Sequence, residues 1–275
     1  MLGCVIGDIV GSIYEFANIK SKDFQFFGNG VEYTDDSILA IATADWILNC
    51  GDVASYYAKY TELYPDPMGG YGTSFKVWAI RYARTGYAEA YNSCGNGSAM
   101  RICPVGWTFD DIDDVLKYSK LSAECTHNHP EGIKGAQATA ASILLARQGA
   151  SKKEIESFVI KRFGYDLSMS VQELQKRYSW QGIDGEGNGG LCQESVPQAM
   201  ICALQAADFE DAVRNAISIG GDSDTIGCIA GGIAEALYGI PQNIYDKGLS
   251  YLPNDLKNLI LKFEEKYGCN IIVGQ

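Results

Sequence analysis

Apolar residues along most of the chain recur at intervals of three and four positions, the spacing of an α-helix that buries one face. The run ILAIATADWILNCG has this spacing and ends at Gly51, a residue suited to a helix C-terminus. A second run, THNHPEGIKGAQATAASILLARQG, closes at Gly149 in the same way. These two segments predict helices in the first third and in the middle of the chain.

Helix start signals extend the pattern. Ser151 with Glu154, and Ser170 with Glu173, have the spacing of capping boxes, in which each side chain bonds to the other residue's backbone N–H. Pro253 suits a first helical turn because a helix leaves that N–H unpaired in any case. Four further segments have helical spacing: ESVPQAMICALQAA, DFEDAVRNAISIG, DTIGCIAGGIAEALYG and LPNDLKNLILKFEEKYG.

The remaining segments are rich in Gly, Asn, Ser and Pro and predict loops between helices. They are KSKDFQFFGNGVEY, YPDPMGGYGTS, YNSCGNGSAMRICP and WQGIDGEGNGGLC. The β-favouring pieces DFQFF and NIIV are too few for a parallel sheet, and no low-complexity linker or fixed-period repeat interrupts the chain. The pattern predicts one all-α domain over residues 1–275 with several glycine-rich loops.

The first 16 residues, MLGCVIGDIVGSIYEF, are apolar but do not predict a signal peptide or a membrane span. They lack a basic start, contain Asp8 and Glu15, and are too short to cross a bilayer. Gly3, Gly7 and Gly11 recur every fourth residue and would line one face of a helix. We therefore expect close contact with another helix in a soluble core.

Composition narrows the function classes. The 275 residues are 47% hydrophobic, enough for a substantial core, and the net charge of −12 argues against general binding to a phosphate backbone. Nine cysteines occur without a C-x-x-C pair or a zinc-like spacing, so neither a complete disulfide framework nor a structural zinc site is predicted. We expect a cytoplasmic protein that binds neither membranes nor nucleic acid in general.

Two acidic motifs, YTDDS and GGDSDTIG, fall at the expected starts of two helices. Each acid taken alone could simply cap free N–H groups or complement the helix dipole. Each motif also carries a threonine, and Mg²⁺ and Mn²⁺ prefer several oxygen ligands. If the two helix starts pack together, their carboxylates repel unless protons or cations compensate. The candidate ligands are Thr34, Asp35, Asp36, Asp222, Asp224 and Thr225.

Known metal loops explain these motifs poorly. An EF-hand loop that starts at Asp222 would place Ile233 where a bidentate glutamate is needed. A phosphotransfer D-x-D site would follow a strand in an alternating βα pattern that the chain lacks, so it remains a weak alternative. Glu15 has two interpretations, an exposed acid at a helix end or a partly buried carboxylate.

Six motifs occur in the order found in the ADP-ribosylglycohydrolase family, which the chain resembles from about Gly3 to Pro241. They are GDIVGSIYEF, YTDDS, GYGTS, CGNGSAMRICPVG, THNHPEG and GGDSDTIGCIAGGIAEALYGIP. The resemblance implies a compact all-α fold with two Mg²⁺ or Mn²⁺ ions in a central cleft. It also implies hydrolysis of the glycosidic bond between ADP-ribose and an acceptor, such as a modified protein side chain.

The resemblance also implies roles for individual residues. The six candidate ligands correspond to the family's metal ligands, and Glu15, Asp35 and Asp36 are the candidate catalytic carboxylates, with acid and base unassigned. A flexible loop over the diphosphate corresponds to Gly69, Gly70, Tyr71 and Gly72. The loop for the phosphates and ribose corresponds to Ser93, Gly95, Asn96, Gly97 and Ser98, and His127 matches a histidine near the distal part of the ligand.

Several alternatives stay open. The chain could hydrolyse another nucleotide-like substrate with two metal ions, or it could bind ADP-ribose without catalysis. His127 and His129 could be polar residues at a helix entry. Asp66 is an uncertain equivalent of the aspartate found in arginine-specific relatives, so arginine-linked, serine-linked and other conjugates are all candidate substrates.

Overall fold

The computed structural model describes residues 1–268 and 272–273, and most of these residues are in α-helices. A 3₁₀ turn, Ser12–Tyr14, follows the first helix. The helices are α1 (Leu2–Gly11), α2 (Asp35–Asn49), α3 (Val53–Leu63), α4 (Thr73–Thr85), α5 (Gly97–Met100), α6 (Cys103–Thr108), α7 (Ile112–Glu124), α8 (Pro130–Arg147), α9 (Lys152–Phe163), α10 (Val171–Arg177), α11 (Cys192–Leu204), α12 (Phe209–Ser218), α13 (Ser223–Tyr238), α14 (Gln242–Ser250) and α15 (Asn254–Tyr267).

Extended structure in the described residues is confined to two small sheets. An antiparallel pair joins β1 (Tyr178–Ser179) to β2 (Gly182–Ile183), and a parallel pair joins β3 (Ile240–Pro241) to β4 (Ile272–Val273). The segment DFQFF forms no strand. The segment NIIV contains β4, while its positions 270 and 271 lie outside the described residues. The predicted all-α class is confirmed.

Most predicted helix boundaries agree with the structure. Both capping boxes form, since Ser151 and Ser170 each exchange side-chain and backbone hydrogen bonds with the glutamate three positions on. Two details differ. Pro253 precedes the first turn of α15 as its N-cap. The segment YNSCGNGSAMRICP, predicted as a loop, contains α5 and the start of α6.

The helices α1 and α13 pack against each other along a seam of small residues. A methyl group added at Gly7 would lie 1.9 Å from the Gly227 carbonyl oxygen, and one at Gly11 would lie 2.4 Å from the Ser223 carbonyl oxygen. Only glycine permits so close a backbone approach. The expectation of close helix contact through Gly3, Gly7 and Gly11 is therefore confirmed.

This seam determines where the acidic motifs lie. The helix α13 contacts α8, α11 and α12 as well as α1, while α1 also packs against α2. Since α1 contacts both helices, it brings the start of α2 to the start of α13. The two motifs therefore meet at one site although they lie far apart in sequence. Asp36 and Thr225, which are 189 positions apart, share a hydrogen bond.

Two further findings concern membrane-spanning helices and cysteines in the described residues. None of the helices in the described part of the chain is both long and apolar enough to cross a bilayer. Eight cysteines lie within the described residues, and all eight are free.

Candidate active site

The acidic residues of the two motifs converge at the starts of α2 and α13. Carboxylate oxygens of Asp8, Asp36 and Asp224 lie within 4.8 Å of one another, and so do those of Glu15, Asp222 and Asp224. The hydroxyl of Thr225 donates to Asp36 Oδ2 at 3.3 Å. The structure therefore joins the two motifs in one place and adds two acids from the N-terminal segment. We call Asp8, Glu15, Asp35, Asp36, Asp222 and Asp224 the acidic group.

Sequence reasoning missed the role of Asp8, which organises the start of α2. Its carboxylate accepts hydrogen bonds from the backbone N–H of Thr34 at 2.9 Å, from the Thr34 hydroxyl at 2.6 Å and from the backbone N–H of Ser37 at 3.1 Å. The Ser37 hydroxyl donates a fourth. Three of these donors contact Oδ2 and one contacts Oδ1, so Asp8 positions the start of α2 while Oδ1 keeps acceptor capacity.

The acids of the acidic group lie close together without a basic side chain of the described residues paired to them. Burial raises the pKa of Asp36 well above its ordinary value, and the charges of Asp224 and Asp8 raise it further. Burial also raises the pKa of Asp224, with the charge of Asp222 as the next cause. None of the ion pairs among the described residues includes an acid of this group. Protons or cations from solution must offset this repulsion.

Helix capping does not account for Asp222. Asp222 is the N-cap of α13, yet its side chain makes no capping hydrogen bond. Instead, Asn96 Nδ2 donates to Asp222 Oδ2 at 2.7 Å. The loop before α13 is fixed from the other side by Asn18, which exchanges hydrogen bonds of 2.8 Å and 2.9 Å with the backbone of Gly221. Asp222 is thus held as an available carboxylate.

Glu15 is the partly buried carboxylate of the two alternatives. It follows the 3₁₀ turn that continues α1, and its neighbourhood raises its pKa to about 8, mainly through burial and then through the charges of Asp224 and Asp8. Gly69 lies directly against it, because a methyl group there would be 2.8 Å from Glu15 Oε2. The predicted loop over the diphosphate therefore contacts a predicted catalytic residue.

A cleft of about 650 Å³ contains this chemistry. Most residues predicted for the site line it, and they come from the first, middle and last thirds of the chain. Asp35 is half-buried at the cleft surface, whereas Asp36 and Asp224 are buried. The predicted residues in the lining are Glu15, Asp35, Asp36, Gly69, Gly70, Tyr71, Gly72, Ser93, Gly95, Asn96, Gly97, His127, Asp222, Asp224 and Thr225.

Two predicted residues, Thr34 and Ser98, lie behind the lining. Thr34 caps α2 by accepting from the Asp36 backbone N–H at 3.2 Å while its hydroxyl donates to Asp8. Ser98 is fully buried, and its hydroxyl donates to the Gly132 carbonyl at 2.7 Å. Both side chains hold the site together, and their predicted contacts with metal or substrate stay predictions.

Arg101 is a second feature that sequence reasoning missed. It lines the cleft although its side chain is fully buried, and no ion pair of the described residues includes it. Its guanidinium lies 4.1 Å from the ring centroid of Tyr57, and its Nε and Nη1 have no hydrogen-bond partner. The cleft thus contains an uncompensated positive charge as well as uncompensated carboxylates.

The two histidines differ in role. His129 caps α8 by accepting from the Glu131 backbone N–H at 3.1 Å, so the helix-entry interpretation holds for it. His127 lines the cleft beside Gly97, and its ring packs edge-on against Tyr91. Burial lowers the pKa of His127 well below its ordinary value, and the charge of Arg101 lowers it further. Both effects favour the neutral imidazole of His127.

The fold and the site define a class, the all-α proteins whose acidic cleft can hold a divalent cation at the starts of two helices. Buried Asp36 Oδ1 has no hydrogen-bond partner, which fits such a ligand. The model of the family described as ADP-ribosylglycohydrolase matches residues 1–268. The chain belongs to the ADP-ribosylglycohydrolase family.

Individual relatives agree with this assignment. ADP-ribosylhydrolase ARH3 of Homo sapiens is 29% identical over 312 residues, covering 88% of this chain and 85% of the relative. ADP-ribosylarginine hydrolase Tri1 of Pseudomonas putida is 26% identical over 269 residues, covering 87% and 70%. A solved structure titled ADP-ribosylglycohydrolase-related protein complex has a TM-score of 0.70 at 24% identity, covering 96% of this chain and 95% of that one. This last likeness supports the fold.

Proposed function

We propose that this protein is a metal-dependent hydrolase that cleaves the glycosidic bond between ADP-ribose and a modified protein side chain or a related conjugate. The observation that carries the proposal is the convergence of two acidic motifs in one cleft of a family member. Relatives named as ADP-ribosylhydrolases support the substrate class. We treat residues 1–275 as a single catalytic domain, and the eight free cysteines support a reducing, cytoplasmic setting.

The acidic group fits two divalent cations, Mg²⁺ or Mn²⁺. Its oxygens form two clusters that share Asp224, and hard cations prefer such ligands. When bound, the cations supply Lewis acidity and fixed positive charge beside the sugar. The proposed ligands are Thr34, Asp35, Asp36, Asp222, Asp224 and Thr225.

The carboxylates suit the charge that this reaction develops. Breaking a bond at the anomeric carbon of ribose gives that carbon oxocarbenium character, so nearby negative charge stabilises the transition state. Burial, and then the charges of Asp224 and Asp8, raise the pKa of Glu15 to about 8 in the metal-free protein, which favours a carboxyl group that carries a proton. We assign to it the protonation of the leaving atom, and to Asp35, which is half-exposed in the cleft, the acceptance of a proton from water.

Two glycine loops suit the diphosphate of the substrate. Gly69 and Gly70 have φ angles of 76° and 78°, which aim backbone groups in ways that other residues rarely adopt. No atom lies within 4 Å of a methyl group added at Gly70, so that side of the loop faces open space. Backbone N–H groups of such turns bind anions without adding a charged side chain.

The acceptor linkage follows less directly from the site. Asp66 is absent from the cleft lining. Its side chain is 85% exposed and pairs with Lys76 at 3.4 Å. Arginine specificity therefore has no support from the position of Asp66. Serine-linked and arginine-linked conjugates are therefore both tested.

A substrate panel tests the proposal. Peptides carrying ADP-ribose on arginine or on serine are incubated with the protein and Mg²⁺ or Mn²⁺, and products are identified by mass spectrometry. We expect release of intact ADP-ribose and an unmodified peptide from at least one linkage. Binding of ADP-ribose without cleavage of any conjugate would favour the non-catalytic alternative, and cleavage within the diphosphate would favour the other hydrolase.

A further inference from the structure

Three side chains form a hydrogen-bonded chain that ends in the cleft. Arg101 Nη2 donates to the Ser122 carbonyl at 2.7 Å and to Thr126 Oγ1 at 2.8 Å. Thr126 Oγ1 lies 2.8 Å from His127 Nδ1. Arg101 and Thr126 are fully buried, and His127 is buried except where it meets the cleft. We call Arg101, Thr126 and His127 the arginine relay.

The direction of hydrogen bonding in this chain follows from donor and acceptor counts. A guanidinium can only donate, so one lone pair of Thr126 Oγ1 is occupied by Arg101. If His127 Nδ1 carried a hydrogen and also donated to this oxygen, the Thr126 hydroxyl would have to turn to Tyr91 or Cys125, whose pKa values a hydrogen bond from it lowers. It would then give up His127 Nδ1, its acceptor at 2.8 Å. Donation from Thr126 to an unprotonated Nδ1 satisfies all three groups.

The consequence appears at the other ring nitrogen. A neutral imidazole with an unprotonated Nδ1 carries its hydrogen on Nε2. No hydrogen bond of the described residues includes His127 Nε2, which lies 3.0 Å from the position of a methyl group added at Gly97 and 3.7 Å from one added at Gly95. A free N–H therefore lies directly beside the loop predicted to bind the substrate.

We propose that Arg101 and Thr126 are positioning residues that hold His127 as the Nε2–H tautomer, so that this N–H donates to an acceptor atom of bound ADP-ribose. The identity of the ligand rests on the proposed function, whereas the tautomer does not. An uncharged N–H donor suits this cleft because it can bind an oxygen or nitrogen acceptor of the ligand without adding a charge. The neutral state agrees with the lowered pKa of His127.

Imidazole ¹⁵N spectroscopy of the ligand-free protein tests the tautomer directly. The chain has two histidines, so His129→Asn assigns the signals. We expect His127 to show a protonated-type Nε2 and an unprotonated-type Nδ1 at neutral pH. The opposite pattern, or an average of both tautomers, would overturn the proposal without any functional assay.

Substitution of Thr126 tests the positioning role. In Thr126→Val we expect His127 to lose its single tautomer and the Kd for ADP-ribose to rise about five- to tenfold, the value of one hydrogen bond. Thr126→Ser should restore both. Thr139→Val is the matched control, because Thr139 is equally buried and its hydroxyl has no partner.

The outcomes separate this proposal from the proposed function. An unchanged tautomer and Kd in folded Thr126→Val would overturn the relay. If that variant does not fold, the wild-type spectrum and Thr126→Ser still decide, since loss of the Nε2–H tautomer in the serine variant would also contradict the relay. A wild-type protein with the expected tautomer and no affinity for ADP-ribose would support the relay and contradict the function.

Discussion

The acidic group and the arginine relay lie in the same cleft, but the first has unpaired negative charge and the second has unpaired positive charge. The acidic group gathers carboxylates without a lysine or arginine partner in the described residues, whereas Arg101 is buried without a carboxylate partner. Neither arrangement favours stability, because buried charges cost free energy unless they are paired. The proposed function would supply what each region lacks, namely cations for the carboxylates and an anionic ligand for the positive charge.

The largest effect is expected when one acid of the acidic group is neutralised. Asp36→Asn and Asp224→Asn should each lower kcat about 10²–10³-fold, the usual cost of removing an electrostatic stabiliser from a buried site. The metal-free variants should unfold at no lower temperature than the wild type, because like charge is relieved. Steady-state kinetics and thermal unfolding check both results.

Asp66→Asn is the matched control for these variants, since the same change is made at an exposed acid outside the cleft. It should retain wild-type turnover. Wild-type turnover in Asp36→Asn as well would remove the acidic group from the mechanism.

The next largest effect is expected for a substitution in the loop predicted to bind the substrate. Gly97→Ala would place a methyl group 3.0 Å from His127 Nε2, so the histidine must shift or lose access to the ligand. We expect the Kd for ADP-ribose to rise about tenfold, measured by calorimetry. Gly28→Ala, where a methyl group meets only ordinary contacts of 3.5 Å, should bind normally. Equal affinity in both variants would place the ligand away from His127.

A smaller effect is expected on the stability of the metal-free protein when the pH is varied. Burial raises the pKa of Asp8 and Asp222 to about 6 and that of Glu15 to about 8. A raised carboxyl pKa contributes stability below the ordinary value near 4, and this contribution is lost as pH rises through the folded-state pKa. The free energy of unfolding of the metal-free protein should therefore fall between about pH 4 and pH 8.

Denaturant titrations across this range measure the slope, and Asp36→Asn serves as the comparison. Its slope should be shallower than that of the wild type, because one repelling acid is gone. Parallel slopes would mean that the acidic group does not control the pH dependence.

The sequence predicted the parts of this site that carry local signals. The acids at the starts of α2 and α13 were recognisable because two hydroxyl-flanked motifs occupied helix N-termini, where free N–H groups favour carboxylates, and carboxylate oxygens can bind cations. The capping boxes at Ser151 and Ser170 were predictable for the same reason, since their partners lie three positions away. The small-residue face of α1 likewise predicted its close contact.

Other parts depend on contacts that no local pattern contains. Asp8 is the one charged residue in a fully buried helix, which was the available signal, but its partners Thr34 and Ser37 are 26 and 29 residues away. The partners of Arg101 include a backbone carbonyl and an aromatic ring, 21 and 44 residues distant in sequence. Helical spacing predicts which face is buried but does not show which buried charges lack a partner.

Thermal unfolding with Mg²⁺ or Mn²⁺ tests the central claim, that cations complete the acidic group, most directly. At about a hundredfold excess over Kd, the wild-type unfolding temperature should rise by about 5–10 °C, while the Asp36→Asn, Asp224→Asn double variant should show little change. An equal rise in both proteins, or none in the wild type, would contradict the claim.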